Sequence, residues 1–252
     1  MKVLAVDTAT AWQSVAVLDG TEVLARADED AERAHAKRLV PAIDRVLASC
    51  GMALADLDGL AVSIGPGSFT GLRVGLATML GFRMATGLPL AAVPTLEAMA
   101  WNLRGAELPL CPMLKARTGE VYWSLYRWRD DGTLQPLQDE RVGAVGAVGQ
   151  SLRGSVMMFG EGWRLHGKEL RPVLAENAID VREAPPAAGY PSAVSVGLAG
   201  QAQLRRGDIA GRGVAPRYVQ RAEADVVWER RGAASPMAKA SRQTARRKTR
   251  VS

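Results

Sequence analysis

The order of apolar runs and turns predicts an α/β protein in which two mixed β-sheets are flanked by helices. Three short apolar runs separated by turns open the chain, before any helical pattern begins. Helices and strands then alternate, which is typical of a sheet with parallel strands. The same order starts again near residue 110, which indicates an internal duplication and therefore two lobes.

Three antiparallel strands are predicted at the start of the chain. Lys2–Asp7 is a compact apolar run, and Gln13–Leu18 is the next one. The dipeptide Asp19-Gly20 is typical of a two-residue hairpin turn. The run Glu22–Ala27 is therefore predicted to be the third strand.

Helices and further strands alternate over the rest of the first half. The predicted elements are a helix over Ala34–Cys50, a strand over Leu60–Ile64, a helix over Thr70–Thr86, a strand over Leu88–Val93 and a helix over Thr95–Leu103. The first helix has apolar residues at helical spacing, and Pro41 inside it predicts a kink or a late start. The order β-β-β-α-β-α-β-α is typical of a ribonuclease-H-like lobe.

The second half is predicted to begin in the same way and to form a reduced lobe. The predicted elements are strands over Leu110–Lys115, Glu120–Trp128, Leu134–Val142 and Val156–Phe159, a loop over Gly160–Trp163, a helix over Ser192–Arg206 and a final strand over Ala215–Val219. We therefore expect a first lobe over residues 1–106 and a second over residues 107–228, with a cleft between them. The helix over residues 192–206 is able to pack back on the first lobe.

The positive charge of the chain is concentrated at its C-terminus. The formal net charge is +6 over 252 residues, but the segment Glu229–Ser252 alone holds eight basic residues and one acid and so carries +7. Its scarcity of apolar bulk predicts a disordered basic tail over residues 229–252. Two interpretations of the tail stay open, a solubilising extension and a contact with RNA phosphates.

The composition argues against several classes of protein. No stretch of about 18 apolar residues is present, so we expect no membrane span. The start of the chain is predicted to be a strand rather than a signal peptide. Cys50 and Cys111 are then predicted to be reduced thiols in the cytoplasm. The two histidines, His35 and His166, lie far apart in the sequence, which argues against a histidine-rich metal site.

The end of the first strand carries candidate phosphate-binding residues. Asp7 is followed by Thr8 and Thr10. In two-lobed phosphotransferases a carboxylate at this place orients metal-bound water, while hydroxyls and backbone N–H groups hold phosphate. The alternative is that Asp7 only caps a turn. In the second half the matching position is Lys115, a cation that could contact phosphate but would repel Mg²⁺.

The stretch SIGPGSFTGLRVG joins a strand to a helix through a glycine-rich turn. Its glycines, Gly65, Gly67 and Gly71, miss the dinucleotide-binding spacing by one residue. No Lys-Ser/Thr pair follows Gly71, as the P-loop would require. The turn is therefore predicted to feed a helix with Ser68 or Thr70 as its N-cap, whose free N–H groups could hold an anion.

One face of that helix is made of small side chains. Gly71, Gly75 and Thr78 follow one another at i, i+4 and i+7, so another helix could approach them closely. This pattern favours a protein interface, and the alternative is tight packing against a neighbouring helix of the same chain. The sequence offers little for catalysis, because no His, Cys, Asp and Glu residues have metal-ligand spacing and no nucleophile elbow is present.

The chain resembles the TsaB (YeaZ) family from residue 1 to about residue 228. The resemblance rests on the motifs VDTAT, SIGPGSFTGLRVG, AVPTLEAMA, ARTGEVYW, GEGW and VAPRYV, in this order. It implies the two-lobed fold shared by actin, hexokinase and the heat-shock ATPases. It also implies a non-catalytic relative of TsaD, the subunit that transfers the threonylcarbamoyl group to adenosine 37 of tRNAs reading codons that begin with A.

The resemblance further implies partners and no cofactor of the chain's own. TsaB-like proteins pair with TsaD in a four-helix bundle, to which the predicted helices Ala34–Cys50 and Thr70–Thr86 would contribute half. They also work with the ATPase TsaE and meet tRNA through the complex, and a homodimer through the same helices is expected when the chain is alone. ATP and a divalent metal are expected on the partner subunits. The metal-ligand positions of TsaD look like Thr95 and Met99 here, and neither is a hard-metal ligand of that kind.

Two sets of residues follow from this resemblance. The expected TsaD contacts are His35, Arg38, Leu39, Ile43, Gly71, Val74, Gly75 and Thr78. The expected vestigial phosphate loops consist of Asp7, Thr8, Thr10, Gly65, Gly67 and Ser68. Two other functions stay open as alternatives: a small-molecule kinase or ATPase that uses Asp7 and Thr8, and a glycoprotease-like metalloprotease, which the missing histidine pair disfavours.

Overall fold

The computed structural model describes residues 1–31 and 34–219. These residues form two five-stranded β-sheets with helices packed on them. The predicted basic tail over residues 229–252, and the end of the predicted second lobe from residue 220 onward, lie outside the described residues.

The N-terminal half of the chain builds the first sheet. Its elements are β1 (Lys2–Asp7), β2 (Trp12–Asp19), β3 (Glu22–Asp30), α1 (His35–Ser49), β4 (Gly59–Ser63), α2 (Phe69–Thr86), β5 (Leu90–Val93) and α3 (Thr95–Trp101). The strand order is β3-β2-β1-β4-β5, in which β1, β2 and β3 are antiparallel and β1, β4 and β5 are parallel. The predicted mixed sheet and order of elements are confirmed.

The second sheet repeats this connectivity. Its elements are β6 (Leu110–Lys115), β7 (Glu120–Trp128), β8 (Leu134–Ala144), α4 (Ala147–Ser151), β9 (Ser155–Phe159), α5 (Glu161–Glu176) and β10 (Asp180–Glu183). The order β10-β9-β6-β7-β8 mirrors the first sheet, with β6, β7 and β8 antiparallel and β6, β9 and β10 parallel. The duplication into two ribonuclease-H-like lobes is therefore confirmed.

The last helix, α6 (Ala193–Arg205), follows the second sheet in sequence but packs on the first. Side chains of β1 alternate between the two faces of that sheet. Leu4 and Val6 share one core with α1 and α2, whereas Val3 and Ala5 share another with α6. The approach of α6 is close because it presents glycines to small side chains of the strands. A Cβ atom added at Gly200 would lie 2.5 Å from the Cβ of Ala61.

Two of the predicted elements are wrong. The loop predicted over Gly160–Trp163 is the start of α5, in which Trp163, Gly167, Leu170 and Leu174 form a buried stripe at helical spacing. The two glycines of GEGW made this helical pattern hard to recognise in the sequence.

The strand predicted over Ala215–Val219 is an extended segment that belongs to neither sheet. Pro216 has no N–H to continue a ladder, and the backbone N of Arg217 donates a single hydrogen bond to the Ile64 carbonyl at 2.7 Å.

Substitution of Gly200 by alanine should separate α6 from the first sheet. The new methyl group would overlap the Cβ of Ala61, which cannot move aside, and we expect the free energy of unfolding to fall by about 1–3 kcal/mol. The control is Gly81→Ala on α2, where an added Cβ meets nothing within 4 Å and helix propensity should raise stability by up to about 1 kcal/mol. Urea unfolding followed by circular dichroism measures both. Equal stability of the two variants would contradict this packing of α6.

Candidate functional site

The loop after β1 (residues 8–11, the first loop) lies directly against the glycine-rich turn (residues 65–68) and the start of α2. Thr8 is fully buried, and its hydroxyl donates a hydrogen bond to the carbonyl oxygen of Gly71 at 2.8 Å. The backbone N of Ser68 donates to the carbonyl oxygen of Ala9 at 2.7 Å. The Ser68 side chain accepts from the N–H of Gly71 at 3.2 Å and is the N-cap of α2, so of the two predicted caps it is Ser68 that fills this position.

Glycine is required where these segments touch. A Cβ atom at Gly71 would overlap the Thr8 carbonyl oxygen, one at Gly75 would overlap the Thr8 hydroxyl, and one at Gly67 would overlap the carbonyl oxygen of Ala9. The small-residue face of α2 therefore serves the chain's own first loop. This is the alternative that the sequence left open, packing within the chain, and a large side chain at Gly75 would disturb the fold instead of testing an interface.

Three further predicted partner contacts have side chains that are buried within the chain itself. Leu39 and Ile43 are fully buried in the core beneath α1. His35 is buried too, and its Nε2 lies 3.1 Å from the carbonyl oxygen of Thr10. Burial lowers the pKa of His35, against the opposing effects of the Thr10 carbonyl and Asp30. The imidazole therefore supports the first loop from within and does not lie at an interface rim.

The remaining predicted contacts lie nearer the surface. Val74 and Thr78 are half-buried on α2, and the Thr78 hydroxyl donates to the Val74 carbonyl at 2.9 Å. Arg38 is exposed and donates to the carbonyl oxygen of Asp30 at 2.7 Å.

A different set of exposed residues forms the outer face of α1 and α2, two helices that contact each other. This outer face consists of Lys37, Val40, Pro41, Asp44 and Ala48 of α1 and Thr70, Arg73, Ala77, Gly81, Met84 and Ala85 of α2. Its members are mostly small or apolar, and Met84 is 87% exposed. Large apolar side chains exposed on a face of small residues are typical of protein interfaces.

Asp7 is an ionisable group buried at the end of β1. It is 0% exposed, and its Oδ1 accepts from the N–H of Ala9 at 3.1 Å. Burial raises its pKa to about 6, while the Ser63 side chain and the Ala9 N–H act in the opposite direction. Within the described part of the chain, Asp7 Oδ2 and the Ser63 hydroxyl nevertheless lack a partner in hydrogen-bonding geometry. The carboxyl group is therefore held at a cost to stability.

The other predicted loop residues are also engaged within the chain. Thr10 caps the first loop, since its hydroxyl accepts from the N–H of Trp12 at 3.2 Å. Gly65 adopts a φ of +118° and donates its N–H to the Thr95 hydroxyl at 3.1 Å. Protein atoms of the same chain thus fill the contact between the first loop and the glycine-rich turn.

The positions matched to the metal ligands of TsaD lie in the core. Thr95 and Met99 are both fully buried on α3. Over residues 1–31 and 34–219, no three His, Cys, Asp or Glu side chains are grouped so that they could hold a metal ion. Lys115 is exposed at the end of β6, the place that Asp7 takes in the first lobe.

The segment after α6 (residues 207–219, the C-terminal segment) is a part of the site that the sequence pattern did not predict. It crosses α2, where Arg83 donates to the Ala210 carbonyl at 2.6 Å. It then reaches the first turn of α2, where the Arg73 Nε donates to the Tyr218 hydroxyl at 2.9 Å and the Tyr218 ring lies 4.8 Å from that of Phe69. The motif VAPRYV belongs to this segment, but its composition is typical of a strand and does not indicate a contact with α2.

Replacement of Asp7 by asparagine should make stability less dependent on pH. A carboxyl whose pKa is raised in the folded state costs no stability below its unfolded pKa near 3.8, and the cost grows as pH rises toward about 6. We therefore expect Asp7→Asn to match the wild type near pH 3.5 and to be more stable by about 2–3 kcal/mol at pH 8. Denaturant unfolding at both pH values measures this. A loss of stability at pH 8 would contradict burial as the cause of the raised pKa.

Among the described residues, no helix has the length and apolar character that crossing a membrane requires.

Part of the chain matches a protein-family model. The model described as TsaD, tRNA N6-adenosine threonylcarbamoyltransferase, matches residues 27–155.

Individual relatives agree with this match. A tRNA threonylcarbamoyladenosine biosynthesis protein TsaB from Escherichia coli (strain K12) is 36% identical over 188 residues, which cover 71% of this chain and 80% of that protein. The solved structure of YeaZ from Pseudomonas aeruginosa is 29% identical, covers 86% of this chain and 99% of its own, and superposes with a TM-score of 0.72.

A more distant structure shows the same fold. The ROK hexokinase from Thermus thermophilus, at 14% identity, covers 82% of this chain and all of its own, with a TM-score of 0.50. The family model covers half of the chain, and the YeaZ structure matches 86% of it. The chain belongs to the TsaB (YeaZ) family of tRNA threonylcarbamoyladenosine biosynthesis proteins.

Proposed function

We propose that the chain is a non-catalytic partner subunit that binds and organises TsaD, together with TsaE, for N6-threonylcarbamoylation of adenosine 37 in tRNAs reading codons that begin with A. It acts in the cytoplasm and holds no cofactor of its own, while ATP and a divalent metal bind to the partner subunits. Membership of the TsaB family supports the pathway. The family model of the catalytic subunit over residues 27–155 supports a paralogue of TsaD.

The observation that carries the non-catalytic role is the contact between Thr8 and α2. In a phosphotransferase of this fold the hydroxyl after the first strand is available to phosphate. Here the Thr8 hydroxyl bonds to the Gly71 carbonyl and is covered by Gly75. Thr95 and Met99, which the resemblance matches to the metal ligands of TsaD, are both fully buried. Both features favour a subunit whose contribution is a surface.

The surface we propose for TsaD is the outer face of α1 and α2. Ala77 and Gly81 are exposed one turn apart on α2 and allow another helix to approach closely. Val40 is 44% exposed and Met84 is 87% exposed, so both are available as apolar anchors. Two helices from each subunit would complete a four-helix bundle. The same face supports a homodimer when TsaD is absent, because an isologous contact would cover the same side chains.

An omission experiment tests the function as a whole. The purified chain is mixed with TsaD, TsaE, tRNA, ATP and threonylcarbamoyl-adenylate, and the modified nucleoside is quantified after each component is left out in turn. We expect modification to stop when this chain is omitted. Full modification without it would contradict the proposal, as would modification by this chain without TsaD.

A charge placed on the outer face should abolish TsaD binding. In Ala77→Glu the carboxylate would be buried without a partner in the bundle, and we expect the affinity to fall at least about 100-fold. The matched control is Ala175→Glu, an exposed alanine on α5, which should bind as the wild type does. Calorimetry measures affinity, and circular dichroism checks folding. Unchanged binding of a folded Ala77→Glu variant would place the interface elsewhere.

Deletion of residues 232–252 should weaken the affinity of the assembled complex for tRNA. Removal of basic residues from a phosphate contact lowers the affinity and flattens its dependence on salt concentration. A full-length control with Arg246, Arg247 and Lys248 replaced by glutamine should show part of both effects. Filter binding at several salt concentrations measures them. If the deletion leaves the dependence of tRNA affinity on salt concentration unchanged, the tail does not contact RNA phosphates and the interpretation as a solubilising extension holds.

A further inference from the structure

A polar pocket lies where the two lobes face each other. It has a volume of about 280 Å³ and is lined by residues of the first lobe, of β7 and β8 in the second, and of the chain after α6. The polar side chains that line it are Glu97, Ser124, Tyr126, Gln138, Asp139, Glu140, Arg206 and Arg217. None of these residues takes part in the contact of the first loop with α2.

Glu140 is the buried acid of this pocket. Its side chain is only 6% exposed, and neither carboxylate oxygen meets hydrogen-bonding geometry with any described residue. The nearest cation is Arg217, whose Nη1 lies 3.4 Å from Glu140 Oε2 and whose side chain is half exposed. The Nε2 of Gln138 also lacks a partner within the described part of the chain. Buried polar atoms without partners are rare and indicate a missing ligand or water.

A second carboxyl group reaches the pocket from the opposite lobe. Burial raises the pKa of Glu97, while Arg206, the Gln203 side chain and Arg217 act against this rise. Burial likewise raises the pKa of Glu140 to about 7, with Arg217 lowering it and Glu97 and Asp139 raising it further. At both carboxyl groups, the effect of burial on the pKa therefore outweighs that of the arginines.

We infer that this pocket binds a cationic group with several N–H donors, a guanidinium or a primary ammonium, held by Glu140 with Glu97. A guanidinium can donate two parallel hydrogen bonds to the unpartnered oxygens of Glu140. An anion held by Arg206 or Arg217 would lie beside the buried carboxyl group of Glu140, and an apolar group would leave both oxygens of Glu140 without a hydrogen-bond partner. A hard metal ion would lack ligands, because no three metal-ligating side chains are grouped within the described residues.

Titration with methylguanidinium chloride, followed by amide chemical shifts in NMR, tests this inference. We expect saturable shifts confined to the neighbourhood of Glu97, Gln138 and Glu140. Tetramethylammonium chloride at the same ionic strength is the control, since it carries the charge without an N–H donor, and it should leave these shifts unchanged. Equal shifts with both salts, or no saturable shift with methylguanidinium, would overturn the inference.

Substitution of Glu140 by glutamine connects the binding to the carboxylate. We expect at least a tenfold loss of affinity for methylguanidinium. The matched control is Asp130→Asn, which removes an exposed carboxylate of the same lobe and should leave the affinity unchanged. Undiminished affinity in a folded Glu140→Gln variant would overturn the inference. If that variant does not fold, the affinity of the Glu97→Gln variant for methylguanidinium and the wild-type titration test the inference instead.

The cationic group can come from a free small molecule or from a lysine or arginine of the partner. Measurement of TsaD affinity, an arm that rests on the proposed function, distinguishes these sources. A tenfold loss with Glu140→Gln but not with Asp130→Asn assigns the group to TsaD. Unchanged TsaD affinity, with methylguanidinium binding lost, assigns it to a free molecule. If the wild-type chain fails to bind TsaD, the proposed function fails while the small-cation titration still tests the pocket.

Discussion

The contact between Thr8 and the first two turns of α2 is the constraint on which the rest of the structure depends. The Thr8 hydroxyl donates a hydrogen bond to the carbonyl oxygen of Gly71. The Thr8 side chain packs against Gly75, where a Cβ atom cannot be accommodated. This contact joins the end of β1 to the start of α2 and closes the space between the first loop and the glycine-rich turn, which the family resemblance predicts to be vestigial phosphate loops. The inner side of α2 is thereby committed to the chain's own first loop, and its outer side remains exposed.

The sequence predicted the architecture well, because strand and helix periodicity and the duplicated order are local properties. The sequence pattern predicted poorly which face of α2 is covered by the chain itself and which is exposed. Gly71 and Gly75 form a face of small residues, but spacing alone does not reveal whether a partner helix covers it or the loop around Thr8, which is 63 residues before Gly71. Leu39 and Ile43 are likewise apolar positions whose burial under α1 depends on tertiary packing. Arg217 could not be placed, because a single hydrogen bond to Ile64 and a contact with Glu140 leave no periodic pattern.

Two buried carboxyl groups show how differently the lobes use their acids. Asp7 is fully buried at the end of β1, and its raised pKa reflects a cost to stability that packing of the first lobe must offset. Glu140 has a raised pKa as well, but a pocket reaches it from the side where the two lobes face each other. Perturbed acids cluster at functional sites, and Glu140 lines such a pocket.

Binding of magnesium ATP to the purified chain alone tests the central claim most directly. Equilibrium dialysis with labelled nucleotide, in the absence of TsaD and TsaE, measures it. Because the Thr8 hydroxyl is bonded to the Gly71 carbonyl and packed against Gly75, it is not available to a phosphate, and we predict no saturable binding that depends on the first loop. Saturable binding that is lost when Thr8 is replaced by alanine in a folded variant would contradict this claim.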